Sequence, residues 1–284
     1  MSVAKFVPNG NASFDPETIS AVLHIRRMRG GSQSHLMLCS DNNFYVVKFR
    51  NNPQHIRVLA NEMLASGLAR WVGLPTPHCT VVYVDQDLIR ANPELSIQLG
   101  QKTVACQPGA QFGSQYAVNP TKGRVWDYFP AEQLRRLRNL ETFAGMLALD
   151  KWLGNVDRRQ VVFWTCGRDR KYNPAFIDYG FCFNGGAWGF LDAPLQGAYS
   201  ENAVYNDISG WNCFEPWLSK IEAMPDATLW EIASEVPTLW YSGNTNEFQE
   251  LVVAILARRH HIRKLIDDFR RSERRPFPCW NWAQ

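Results

Sequence analysis

The chain has 284 residues, 45% hydrophobic and 20% charged, with eleven Trp and sixteen Phe. That balance excludes a disordered or fibrous polymer and suits one large domain or two lobes with packed aromatic cores. A formal net charge of +3 does not by itself call for a nucleic-acid partner, and no apolar run is long enough to span a bilayer.

The N-terminal residues lack the apolar segment of a secretory signal, which sets the expectation of a cytoplasmic protein. Seven scattered cysteines form no C-x-x-C pair, so reduced thiols are expected rather than a zinc or redox site. Residues 20–28 and 44–50 alternate as strands do, and the small-residue loop Arg29-Gly30-Gly31-Ser32-Gln33-Ser34 lies between them, before His35–Cys39. Asn52-Pro53 then offers an N-cap and an N1 proline. The helix expected over 53–72 buries Ile56, Leu59, Met63, Leu64, Leu68 and Trp71, and Gly73 and Pro75 end it. Residues 79–84 read as a strand and 95–106 as one more.

The Gly/Pro/Gln-rich stretch 107–115 reads as a hinge, dividing a lobe at 1–106 from a lobe at 107–284. Beyond it, Pro130 opens a long helix through Leu134, Leu137, Phe143, Met146 and Leu147 to Trp152. A hairpin follows within 153–181. The apolar run Val161–Trp164 and the run ending at Ile177 are joined by the polar turn 167–171, which places Asp157 and Asp178 at one end. Later helices end in one spanning 245–272, and from Arg258 to Arg275 eight Lys or Arg face three Asp or Glu. The solvated face of an amphipathic helix accounts for that run, and a nucleic-acid-binding helix is its rival. The order of elements predicts an α+β protein with two unequal lobes.

Two carboxylates at one end of a hairpin suit phosphoryl transfer, where one orients the attacking hydroxyl and another holds the metal bound to ATP. Lys48, inside the strand run Val46-Val47-Lys48-Phe49, needs an anion for its ammonium or must snorkel to water at a sheet edge. ATP phosphates would satisfy it, with Glu62 of the next helix holding the amine in place. The Gly30-Gly31 loop could fold over phosphates, and it could equally be a plain turn. Other chemistries lack their marks: there is no G-x-S-x-G, H-E-x-x-H or Walker A sequence, and His260-His261 has no partners at metal spacing.

The segments Met28–Ser34, Tyr45–Lys48, Asn61-Glu62, Gly73–Pro77, Phe112–Ser114, Asp150–Gln160 and Ile177–Phe181 together resemble the HipA-like kinases, relatives of the protein-kinase and phosphatidylinositol-kinase fold. The likeness runs from about residue 20 to 190 and rests on the order of the motifs, none of which is specific alone. It implies a bilobal protein-kinase-like fold, with a small β-rich N-lobe and a larger helical C-lobe. It also implies an ATP- and Mg2+-dependent kinase acting on a hydroxyl acceptor such as a protein Ser or Thr. Lys48 would contact the nucleotide phosphates, Glu62 would orient it, and Gly30, Gly31, Ser32, Gln33 and Ser34 would cover the phosphates. Asp157 would orient or deprotonate the acceptor, and Asp178, in an Asp-Tyr-Gly triplet, would bind magnesium. The family pattern places a metal-binding Asn five residues after the catalytic Asp. Here that position is Val162, with Gln160 nearby as a substitute ligand. Arg159 stands where the family pattern has His. These departures motivate an alternative, a pseudokinase that binds nucleotide or a partner protein without turnover. A second register, Asp150 with Asn155, has the Asp/Asn spacing but falls on the preceding helix.

Overall fold

The computed structural model describes residues 18–281. Five strands close a small barrel in the order β1 (Ile19–Arg27), β2 (His35–Cys39), β3 (Phe44–Lys48), β7 (Gly109–Gln115) and β4 (Cys79–Val84). Its interior holds Met37, Tyr45, Val47, Phe49, Val82 and Val84, the inward set that strand alternation dictates. Between β3 and β4 the chain crosses as α1 (Arg57–Val72), and α2 (Gln86–Ala91) with the hairpin β5 (Ser96–Leu99) and β6 (Lys102–Ala105) leads to β7.

The expected hinge is a strand of the closed barrel: β7 pairs with β3 on one side and β4 on the other. Its poverty in apolar residues reflects crowding. A Cβ at Gly113 would run into Val82 and meet Tyr45 at 3.4 Å. Buried Gln111 spends its amide on backbone, accepting from Arg50 N at 2.8 Å and donating to Gln107 O at 2.8 Å. A division of the chain between 106 and 107 would separate β7 from the barrel it closes.

Three helix boundaries differ from the sequence expectation, each for a tertiary reason. Helix α1 starts at Arg57, not at 53, because Asn52 Oδ1 accepts from Gln54 N at 2.8 Å in a local turn and Asn52 Nδ2 reaches Ser32 O at 3.5 Å. Of its expected apolar stripe, Leu59, Met63, Leu64 and Leu68 are buried, and Ile56 and Trp71 are half-buried. The helix expected over 130–152 breaks into a 3-10 turn, Ala131–Arg136, and α3 (Thr142–Leu153). There the backbone pairs elsewhere: Arg138 N donates to Tyr172 O at 2.8 Å, Tyr172 N donates to Arg136 O at 2.9 Å, and Asn139 takes a left-handed φ of 53°. The helix expected over 245–272 is α6 (Thr245–Arg258) and α7 (Ile262–Arg270), joined by a 3-10 turn. At that joint Arg258 turns inward and caps α3, donating to Trp152 O at 3.0 Å and Lys151 O at 3.1 Å.

The second sheet is β8 (Gly123–Trp126), β9 (Gln160–Cys166) and β10 (Asn173–Ile177), with β9 in the middle. The larger core combines this sheet with α1, α3, α4 (Trp217–Glu222), α5 (Asp226–Ser234), α6 and α7. Helix α1 thus lies between β3 and β4 in sequence yet packs its apolar face into the core of the C-terminal half. That placement ties Glu62 to the β9–β10 hairpin. All seven cysteines are free, and no helix among the described residues is long and apolar enough to cross a membrane.

Candidate active site

Lys48 is the last residue of β3, and its side chain is only 8% exposed. The ammonium lies between two carboxylates, donating to Glu62 Oε1 and, at 2.8 Å, to Asp178 Oδ1. Burial opposes its charge, but Asp178 and Glu62 more than offset this and hold its pKa above the ordinary lysine value. Glu62, on α1, also accepts from two backbone amides: Tyr179 N reaches Oε2 at 3.0 Å and Gly180 N reaches Oε1 at 3.1 Å. Burial pushes the Glu62 carboxyl up despite these partners. For Asp178 burial acts the same way, yet the Lys48 ammonium prevails and its carboxyl stays below the usual range.

Asp178 has a φ of 62°, an uncommon conformation for a residue with a Cβ. The triplet's glycine is required by space: a Cβ at Gly180 would lie 2.6 Å from Val58 Cγ1 and 3.4 Å from Glu62 Oε1. Asn61, beside Glu62, donates through Nδ2 to the carbonyls of Gly180, Cys182 and Gly185 at 2.8, 3.1 and 2.9 Å. It accepts from Trp188 Nε1 at 2.8 Å. Neighbouring residues of α1 therefore hold both the triplet and the chain that follows it.

Asp157 is exposed on the turn between α3 and β9. Its Oδ1 accepts from Arg158 N at 2.7 Å, and its carbonyl accepts from Gly197 N at 3.0 Å. In the antiparallel ladder Gln160 opposes Ile177, so Asp157 and Asp178 leave the same end of the hairpin, as the sequence predicts. Gln160 is exposed on that first rung, and Val162 opposes Ala175 two rungs further in.

The loop of residues 29–34 is a closed turn between β1 and β2. Met28 N donates to Ser34 O at 2.8 Å, Gln33 N donates to Gly30 O at 3.2 Å, and Gly30 takes a φ of 123°. Gln33 stitches it to β5, its Nε2 donating to Gln98 O at 2.8 Å and its Oε1 accepting from Gln98 N at 2.7 Å. The amides of Gly31 and Ser32 meet no acceptor among the described residues.

A family model described as HipA-like kinase matches residues 21–178, more than half of the chain. The chain belongs to the HipA-like kinase family. No protein of curated function matches it in sequence. Among solved structures, the crystal structure of the Golgi casein kinase aligns over 90% of this chain and 74% of its own, with 12% identity and a TM-score of 0.50. Hydra Fam20 aligns over 90% and 86% with 11% identity and a TM-score of 0.49. The Helicobacter pylori proinflammatory kinase CtkA aligns over 87% and 95% with 13% identity and a TM-score of 0.46. The alignment with the Golgi casein kinase, with the mixed strands and helices described above, makes the chain an α+β protein of kinase-like fold.

The structure also brings in residues that sequence reasoning left without a partner. Asp150 and Arg159 form a buried ion pair, Arg159 Nε donating to Asp150 Oδ2 at 2.9 Å and Nη2 donating to Oδ1. The Asp150–Asn155 register is therefore internal to the protein, with Asp150 2% exposed. An aspartate amid the apolar positions of α3 was the available signal, since a buried charge demands a counterpart. The basic C-terminal segment is largely neutralised locally: Arg263 pairs with Glu222, Lys264 with Asp268, and Arg270 and Arg271 with Asp267.

The residues present fit a divalent cation that arrives with nucleotide phosphates. Asp178 offers one carboxylate, its side chain 23% exposed, and Gln160 one amide oxygen. No cluster of three or more His, Cys, Asp or Glu suited to a metal exists among the described residues. Phosphate oxygens and water would complete such a shell, the arrangement Mg2+ commonly takes.

Proposed function

We propose that this protein is an ATP- and Mg2+-dependent phosphotransferase that moves the γ-phosphoryl group to a hydroxyl acceptor such as a protein Ser or Thr. The observation that carries the reading is the buried Lys48 ammonium between Glu62 and Asp178. Such a cation costs desolvation unless its partners are fixed, and here α1 fixes one and the hairpin the other. When bound, Mg·ATP supplies the phosphoryl group and a leaving diphosphate whose charge the metal neutralises. Lys48 would hold phosphate oxygens and Glu62 would keep it aimed. Asp178 and Gln160 would hold the metal. The amides of Gly31 and Ser32 would serve the phosphates, with Gly30, Gln33 and Ser34 shaping the loop. Asp157 takes the proton of the acceptor hydroxyl as its oxygen bonds to phosphorus and the bond to ADP breaks.

Replacing Asp178 by Asn tests the assignment. Metal-dependent ATP turnover should vanish while circular dichroism and the melting transition remain those of a folded protein. Turnover at the parental rate would remove Asp178 from the metal site.

Val162 favours a second reading, a pseudokinase that binds nucleotide without transfer. That reading expects ATP to raise the melting temperature with and without magnesium, while no phosphorylated product forms with any acceptor.

A further inference from the structure

The two acids of the hairpin are joined by more than its ladder. Arg159 Nη1 donates to the carbonyls of Ile177 at 2.7 Å and Asp178 at 3.1 Å. The opposite edge of the guanidinium grips Asp150. Asp150 Oδ1 also accepts from Asn155 Nδ2 at 2.9 Å, and Asn155 Oδ1 accepts from Asp157 N at 3.1 Å. One side-chain relay therefore runs from the backbone of Asp178 to the backbone of Asp157. Its members are 3%, 2% and 2% exposed at Arg159, Asp150 and Asn155. The Arg159 guanidinium lies 4.5 Å from the centre of the Tyr179 ring. Gly197 seals the other side: a Cβ there would fall 2.8 Å from Asp150 Cβ.

A buried ion pair is a weak device for stability, because well-packed apolar residues often serve as well. This pair does something apolar residues cannot, since its free donors bind two backbone carbonyls at a left-handed Asp. Such a backbone persists only when its surroundings over-determine it. With Val at position 162, no side chain there grips an ion shared with Asp178.

We infer that Arg159, through Asp150 and Asn155, is a positioning residue that fixes Asp157 relative to Asp178, in place of the coupling a metal-binding side chain at 162 would provide. The inference rests on the phosphotransfer reading.

The test compares the full-length parent with Asn155→Ala and Arg159→Lys. Three quantities are measured: kcat and KM for ATP, the Mg2+-dependent gain in affinity for a non-hydrolysable ATP analogue, and hydrogen exchange at the Tyr179 and Gly180 amides. Asn155→Ala removes both side-chain bonds of Asn155, to Asp157 N and to Asp150 Oδ1, and leaves Arg159 on Asp150 and on the Asp178 backbone. It should leave the magnesium-dependent gain and the KM for ATP within about twofold of the parent while kcat falls about ten- to hundredfold. Arg159→Lys loses the planar fork, so exchange at Tyr179 and Gly180 should rise about tenfold and the magnesium-dependent gain should shrink. Unchanged kcat in Asn155→Ala overturns the inference, as does unchanged exchange in Arg159→Lys. If Arg159→Lys does not fold, Asn155→Ala decides alone. If the parent binds no nucleotide, the phosphotransfer reading is what fails, and the exchange data still report whether Arg159 holds the Asp178 backbone.

Discussion

Replacing Lys48 by Met removes the ammonium and leaves Glu62 buried against Asp178. Glu62 keeps its two amide donors, Tyr179 N and Gly180 N, but loses the one counter-charge in contact with it among the described residues. Breaking a buried pair from one side costs about 3–5 kcal/mol. For a chain of this size that lowers the melting temperature by roughly 5–8 °C. The loss should depend on pH. In the variant the folded pKa of Glu62 rises further above its unfolded value, so the folded state binds the extra proton. Stability of the variant relative to the parent therefore falls as pH rises above the unfolded value of about 4.3, until Glu62 is ionised in both states. Urea titrations at pH 5 and pH 8 read this directly, and Lys48→Met combined with Glu62→Gln should recover most of the loss. A Lys48→Met loss that is the same at both pH values, or one that Glu62→Gln does not relieve, would refute the electrostatic account of this pair.

Val162→Asn should raise magnesium-dependent ATP turnover if position 162 limits metal binding, read as kcat at sub-saturating Mg2+. No change would show that the ladder position facing Ala175 does not reach the ion. Gly145→Ala should destabilise by about 1–3 kcal/mol in urea, because the new methyl would run into the Trp217 ring. His35 sits wholly buried against His24, its Nδ1 3.1 Å from His24 Nε2, with Cys106 Sγ 3.9 Å from its Nε2. Burial first, and His24 second, bring its pKa down to about 4. Its unfolded counterpart takes up a proton near pH 6.5, so stability should decline as pH falls from 6.5 to about 4 and level off below. His35→Gln should flatten that slope in a series of urea midpoints.

Much of the candidate site was legible because its residues violate local expectation. A lysine inside an apolar strand and two acids at the open end of one hairpin each demand partners, and β3, α1 and the hairpin bring Lys48, Glu62 and Asp178 together. What escaped sequence reasoning depends on contacts distant in the chain. Nothing local to 137–141 announces that its backbone will pair with Tyr172, and nothing at Arg258 announces that it will cap α3. The strand at 109–115 carries no strand signal because the crowded barrel takes Gly113 beside Val82 and a hydrogen-bonded Gln111 where an open sheet takes Val and Ile. Arg159 and Asp150 were visible as charges, but their pairing spans a helix end and a turn.

Calorimetric titration of an ATP analogue, with and without Mg2+, into the parent and into Asp178→Asn bears most directly on the claim that Lys48 and Asp178 serve nucleotide and metal. The account predicts binding to the parent that tightens with magnesium, and a variant that binds nucleotide but gains nothing from the metal. A parent that binds no nucleotide, or an Asp178→Asn variant that keeps the full magnesium effect, would contradict it.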